Sequence, residues 1–154
     1  MAAHDTHDAL QIQELHEVVR HRLHTHEQRM TPIRQRLVEI LARADRPLTI
    51  PEVLGNRRGL AQSSVYRNLV VLEQADVVRR GVTHDEFARF ELAEDLTEHH
   101  HHLICVSCGQ VEDFTASPSL ERSLHKVVEE VAGGSGFTAL HHRLDLIGTC
   151  RTCA

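Results

Sequence analysis

The sequence predicts an α+β chain of two modules: a helix-turn-helix unit with a following hairpin, then a small α/β unit stapled by four cysteines. Three observations carry this. Apolar residues recur at helical spacing through the first half, as at Val65, Leu69 and Leu72. From residue 77 onward short β-compatible runs take over, bounded by turn residues. All four cysteines fall into two Cys-x-x-Cys hooks, Cys105/Cys108 and Cys150/Cys153. Two such hooks are the ligand set of a closed tetrahedral zinc site. Here 41 residues separate the hooks, so zinc would tie the chain end to the middle of a module. A pair of disulfides is the competing reading, disfavoured where no secretory segment is expected.

At 154 residues the chain allows one full-sized domain or two small ones. Aromatics are 3% of the chain, with no Trp, so broad stacking platforms for bases are absent. No apolar run suits a membrane span, and residues 1–8 carry no basic-then-apolar signal; the expected compartment is the cytoplasm. Net charge is −5, but its distribution is uneven. Between Arg29 and Arg80 ten Arg face five acidic residues; from Thr83 onward five basic residues face twelve acidic ones. Such asymmetry fits a basic module for a polyanion joined to an acidic module for cations.

In chain order, Leu10, Leu15, Val18, Val19 and Leu23 predict a helix over 8–26, with its histidines on a solvated face. Thr31 and Pro32 suit the N-cap and first position of a second helix carrying Ile33, Leu37, Ile40 and Leu41. Thr49-Ile50-Pro51-Glu52 opens a short third helix. The fourth starts near Ala61 and gathers Ser63, Ser64, Tyr66, Arg67 and Asn68 at its N-terminal end. Helix, short helix and a polar-tipped helix is the helix-turn-helix order, whose last helix reads base edges in the major groove. Arg34 and Arg36 are expected at phosphates. Strands over 77–82 and 86–92 would form a wing. Residues 93–98 read as a hinge.

The second module is expected as strands over 101–106 and 110–114, a helix over 117–131 ended by Gly133-Gly134-Ser135-Gly136, and a last strand over 137–147. His99-His100-His101-His102 leads into the first hook. In extended chain side chains alternate, so His99 and His101 share one face, and His100 and His102 the other. Each pair is about 7 Å apart, within reach of one ion. About 55 residues bury themselves poorly, so zinc and dimerisation are the natural supports.

With the pieces placed, the sequence resembles the ferric uptake regulator family of bacterial metal-dependent repressors, over about 12–153. The carrying motifs are Met30-Thr31-Pro32-Ile33-Arg34-Gln35-Arg36, Ser64-Val65-Tyr66-Arg67-Asn68-Leu69, Arg89-Phe90-Glu91-Leu92, the histidine-cysteine block 99–109, Val111-Glu112-Asp113-Phe114, and His142-Arg143-Leu144 through Cys150. The resemblance implies a winged-helix DNA-binding domain over 1–92, a hinge over 93–98 and a metal-binding dimerisation domain over 99–154. It implies a homodimer on double-stranded operator DNA, and no small organic cofactor. It also implies three metal sites. Structural zinc falls on Cys105, Cys108, Cys150 and Cys153. A regulatory Zn2+, Fe2+, Ni2+ or Mn2+ falls on His100 and His102 with Glu91 and His84, and Asp95 or Asp113 are further candidates. A third site falls on His99, His101, Glu121 and His142.

Arg46 stands where many members carry a histidine ligand, and no cysteine is spare near the end of the wing. Zinc, iron, nickel, manganese and peroxide sensing therefore stay open. Two readings of another class compete. One is a metal buffer or chaperone without DNA binding. The other is a hydrolase using Glu98 as base, disfavoured because no nucleophile motif, phosphate loop or cofactor fingerprint is present.

Overall fold

The computed structural model describes residues 2–55, 59–83 and 86–154. They form two units, Met1–Glu98 and His99–Ala154. The first holds α1 (Ala2–Thr25), α2 (Pro32–Ala42), β1 (Leu48–Thr49), α3 (Ile50–Leu54), α4 (Gln62–Gln74), β2 (Val78–Val82) and β3 (Ala88–Leu92), then a 3₁₀ turn at Glu94–Leu96. The second holds β4 (His101–Cys105), β5 (Val111–Phe114), α5 (Pro118–Ser135) and β6 (Asp145–Gly148). No described helix is long and apolar enough to cross a membrane.

Local chemistry starts the helices of the first unit. Thr31 accepts from the Arg34 amide, with Pro32 at the first helical position of α2. Thr49 and Glu52 form a reciprocal capping box on α3, the Thr49 amide donating to Glu52 Oε2 at 2.7 Å. The core joins Val19 and Leu23 of α1, Leu37, Val38, Ile40 and Leu41 of α2, Val53 of α3, and Val65, Leu69 and Leu72 of α4, with Phe90 and Leu92 of β3. The sheet runs β1-β3-β2, with Phe90 between Leu48 and Arg80. β1 is absent from the sequence reading; two residues carry no period, and only pairing with β3 makes them a strand.

One expectation for this unit is corrected. His16 is buried rather than solvated, its Nε2 3.4 Å from Glu39 Oε1 of α2. A helix longer than expected presents that face to α2, where the sequence offered only periodicity. The segment read as a hinge carries local structure: Glu94–Leu96 forms a turn, Asp95 pairs with Arg22, and Glu94 lies 3.2 Å from Arg79. The hydrogen bond from Arg22 outweighs burial and holds the Asp95 carboxyl below its usual range.

In the second unit β4 is central: β5 runs antiparallel on one side and β6 parallel on the other. Its buried apolar side chains are only Cys105, Val111, Ala116 and Ala132. Helix α5, capped by Ser117, runs through Gly133 and Gly134 to a left-handed Gly136 at φ 67°, four residues past its expected end. Glycine lowers helix propensity without forbidding it, and the stop comes where positive φ is needed. The apolar face of α5 is largely uncovered, with Leu120, Val127 and Val131 exposed. The final strand is four residues long, not eleven, because only Asp145–Gly148 finds ladder partners on β4.

Candidate functional site

The four cysteines meet because strand pairing closes the gap between the hooks. Cys105 ends β4 and pairs with Gly148 at the end of β6, so both hooks leave neighbouring strands at the same end of the sheet. Each hook turns on itself: Gly109, at φ 73°, donates its amide to Cys105 O at 2.9 Å, and the Cys153 amide donates to Cys150 O at 2.9 Å. The four Sγ atoms lie within 4.8 Å of one another, Cys108 and Cys150 at 3.8 Å. A tetrahedron with Zn–S bonds of about 2.3 Å has S–S edges of about 3.8 Å, so the donor set fits zinc. The Cys150 amide donates to Cys105 Sγ at 3.2 Å; with the Cys108 amide it pulls that thiol down to about 6. Cys153 is pushed up to about 12, chiefly because Cys150 and Cys108 hold its proton in hydrogen bonds. Crowded thiols cannot all ionise without a cation among them.

The histidine tetrad divides by parity. His99 and His101 rings are 4.7 Å apart, His100 and His102 rings 5.2 Å. His99 and His101 share their face with His142 and with Glu121 from the first turn of α5. These four offer ligand atoms within 4.8 Å of one another. His101 Nε2 is 2.8 Å from Glu121 Oε1, while His99 and His142 Nε2 are each 3.5 Å from Oε2. The His101 hydrogen bond is the main cause of a lowered Glu121 carboxyl. His101 Nδ1 and His142 Nε2 are buried without a hydrogen bond in the structure. Buried ring nitrogens of that kind are uncommon, and three imidazoles around a carboxylate suit a divalent transition metal.

His100 and His102 meet two carboxylates of their own unit. Asp113, paired with His102 across β4–β5, has its Oδ2 3.8 Å from His100 Nε2 and its Oδ1 3.6 Å from His102 Nε2. Asp145, paired with His102 across β4–β6, has Oδ1 3.1 Å from His102 Nδ1. Asp145 is a residue that sequence reasoning missed; its only signal was its position in a strand running to the second hook. Burial alone would raise its carboxyl, but hydrogen bonds from Arg143 and His102 hold it below the usual range. Glu91 lies on β3 of the first unit, opposite Arg79. His84 lies outside the described residues.

On α4, Val65, Leu69 and Leu72 face the core, leaving Ser63, Tyr66 and Arg67 exposed on the opposite side. This helix begins at Ala61 without a side-chain cap. Ser64 and Asn68 are half-buried, and Asn68 donates to Ser64 O at 2.8 Å. Arg36 is exposed. Arg34 spends three of its five N–H groups inside the unit: Nε on Asn68 Oδ1 at 3.0 Å, Nη1 on Arg29 O at 2.6 Å, and Nη2 on Gln28 Oε1 at 3.1 Å. It ties the segment before α2 to α4. Arg34→Ala should therefore lower the unit's stability by about 1–2 kcal/mol, whereas Arg36→Ala should not. Urea unfolding of the two variants checks this; equal midpoints would reject the brace. Arg46 pairs with Glu52 at 2.8 Å, inside the capping box of α3.

Comparison with known proteins gives one consistent picture. The family model described as the ferric uptake regulator family matches residues 25–147. The chain is 30% identical over 131 residues to the peroxide operon regulator of Bacillus subtilis, covering 82% of this chain and 84% of that one. It is 38% identical over 95 residues to the ferric uptake regulation protein of Bordetella parapertussis, covering 62% of each. Among solved structures it is similar to the Helicobacter pylori ferric uptake regulator, described as having three functional metal binding sites. There the TM-score is 0.72 at 26% identity, covering 92% of this chain and 93% of that one.

Proposed function

The chain belongs to the ferric uptake regulator family of metal-responsive transcription regulators, and from that premise we propose that it is a cytoplasmic repressor whose homodimer binds operator DNA when a divalent metal occupies the hinge. The observation that carries this is one chain holding both an exposed Ser63–Tyr66–Arg67 face on an uncapped helix and clustered metal donors. Cys105, Cys108, Cys150 and Cys153 would hold structural zinc. His100 and His102, together with Glu91 and His84 carried by the first unit, would hold the regulatory ion. When bound, that ion supplies a positive centre that ligands from both sides of residues 93–98 must meet at about 2 Å. The first unit's ligands are then tied to those of the second, and the two winged helices of a dimer face successive major grooves at one spacing. Without that restraint, DNA binding bears the ordering cost. The uncovered Leu120, Val127 and Val131 of α5 support a second copy as partner.

Arg67 is proposed at a base edge, Ser63, Ser64, Tyr66 and Asn68 beside it, and Arg36 at phosphate, with Arg34 bracing Asn68 and keeping two N–H groups for phosphate. Zinc, iron(II), nickel and manganese all suit imidazole and carboxylate. Peroxide sensing is the second reading, favoured by Asp113 beside both His100 and His102. Against it, Arg46 stands where the resemblance implies a histidine ligand; its guanidinium cannot coordinate a cation and pairs with Glu52 instead.

The test is binding of the full-length protein to DNA upstream of its own gene, with and without each metal. Metal should tighten binding, and Arg67→Ala should cost about 1–3 kcal/mol and relax base preference. Arg36→Ala should weaken all sequences alike and flatten the salt slope. Metal uptake with no DNA binding at any salt would make the protein a buffer instead.

A further inference from the structure

We propose that Asp145 is a positioning residue for the regulatory metal: it holds the His102 ring with the proton on Nδ1, so that Nε2 presents its lone pair to the ion. The inference rests on the reading of His100 and His102 as regulatory ligands and adds a residue to it. His102 pairs with Asp113 on one neighbouring strand and Asp145 on the other. Directly paired residues project from the same face of a sheet. The imidazole therefore lies between two carboxylates and turns one nitrogen to each, Nδ1 to Asp145 at 3.1 Å and Nε2 toward Asp113 at 3.6 Å.

The two carboxylates are not equivalent. Arg143 grips Asp145 with both ends of its fork, Nε on Oδ1 at 3.0 Å and Nη2 on Oδ2 at 2.9 Å. A carboxylate bound bidentately by guanidinium is ionised and can only accept. His102 Nδ1 must then be the donor, and in the neutral ring Nε2 is left as a bare lone pair. The same guanidinium makes Asp145 a poor metal ligand, since a cation bound there would face a second fixed positive charge. Asp113, beside both Nε2 atoms, has the geometry of a ligand, whereas Asp145 has the geometry of an orienting group. Carboxylates on the far nitrogen of ligating histidines orient the ring and raise its basicity, and their loss typically weakens metal binding 10–100-fold.

The experiment uses full-length, zinc-loaded protein. Long-range proton–nitrogen correlation spectra of the wild type, without added regulatory metal, read the His102 tautomer, its signals assigned by their loss in His102→Ala. Cobalt(II) is then titrated into wild type, His102→Ala, Asp145→Asn and Asp145→Ala, the binding step missing from His102→Ala being the regulatory one. The expected results are a proton on Nδ1 in the wild type and a regulatory step 10–100-fold weaker in Asp145→Ala. Asp145→Asn, whose amide oxygen can still accept, should lose less. A proton on Nε2 in the wild type overturns the proposal even if the variants misfold. An unchanged cobalt step in Asp145→Ala overturns it while leaving the regulatory reading intact. If His102→Ala loses no step, that reading fails and the positioning role falls with it.

Discussion

Cys105→Ser and Cys150→Ser should each yield protein without tightly held zinc and with residues 99–154 unfolded at room temperature. The size of the effect follows from how little else holds this unit together. Its buried apolar side chains are Cys105, Val111, Ala116 and Ala132, with His101 and His102 the buried polar ones. No buried Leu, Ile or Phe contributes to that core. Binding energy at a four-cysteine zinc site is folding energy, on the order of 10 kcal/mol at neutral pH, more than a typical small domain's whole stability. Cys105 is the buried member of the four and accepts the Cys150 amide, so its loss removes a ligand and leaves that amide without its partner. Cys153 is exposed and should be milder to replace than buried Cys105, because water reaches its position and can take the vacated place on the zinc. Metal analysis of dialysed protein, circular dichroism and size-exclusion chromatography check the result. Stoichiometric zinc and an intact dimer in both Cys105→Ser and Cys150→Ser would reject a structural role.

His100→Ala combined with His102→Ala should leave a folded, zinc-stapled protein that no longer gains DNA affinity when metal is added. The coupling at stake is about 1–3 kcal/mol, a 5–150-fold change in operator affinity. Both side chains face Asp113, and the β4 backbone that carries His102 pairs on both sides regardless of side-chain identity. The stapled fold should therefore survive. Asp145 keeps its bidentate Arg143, so the substitution does not strand a buried carboxylate. Fluorescence anisotropy on labelled operator DNA, across the four metals, measures the gain. If the double variant still responds to metal, the switch lies elsewhere, and the cluster of His99, His101, Glu121 and His142 becomes the site to remove next.

Legibility differed between the features these experiments touch. The caps of α2 and α3 were readable because they involve residues three apart on one helical turn. The division of the histidine tetrad was readable because side chains in extended chain alternate with a period of two. The hooks were readable because two cysteines three residues apart can face one ion without help from the rest of the chain. All of these are short-range consequences of backbone geometry, and sequence by itself determined them. It also determined the order of the helices and of every strand but β1, because burial of one face imposes a period on the residues that form it.

Tertiary structure decided what depends on partners distant in the chain. Parallel pairing of β4 with β6 brings the second hook to the first and sets Asp145 beside His102, 43 positions away. Nothing in the residues around Asp145 announces that register. Arg34 became a brace on Asn68 only when α2 and α4 packed together. His16, one of several similar histidines on α1, became buried because α2 lies against that face. The length of β6 was set by how much of it finds β4, not by the apolar content of residues 137–147. A β ladder is a relation between two segments, and a sequence records each segment's willingness to pair without recording with which residue. That missing relation is what sets the Asp145 carboxylate against the His102 ring.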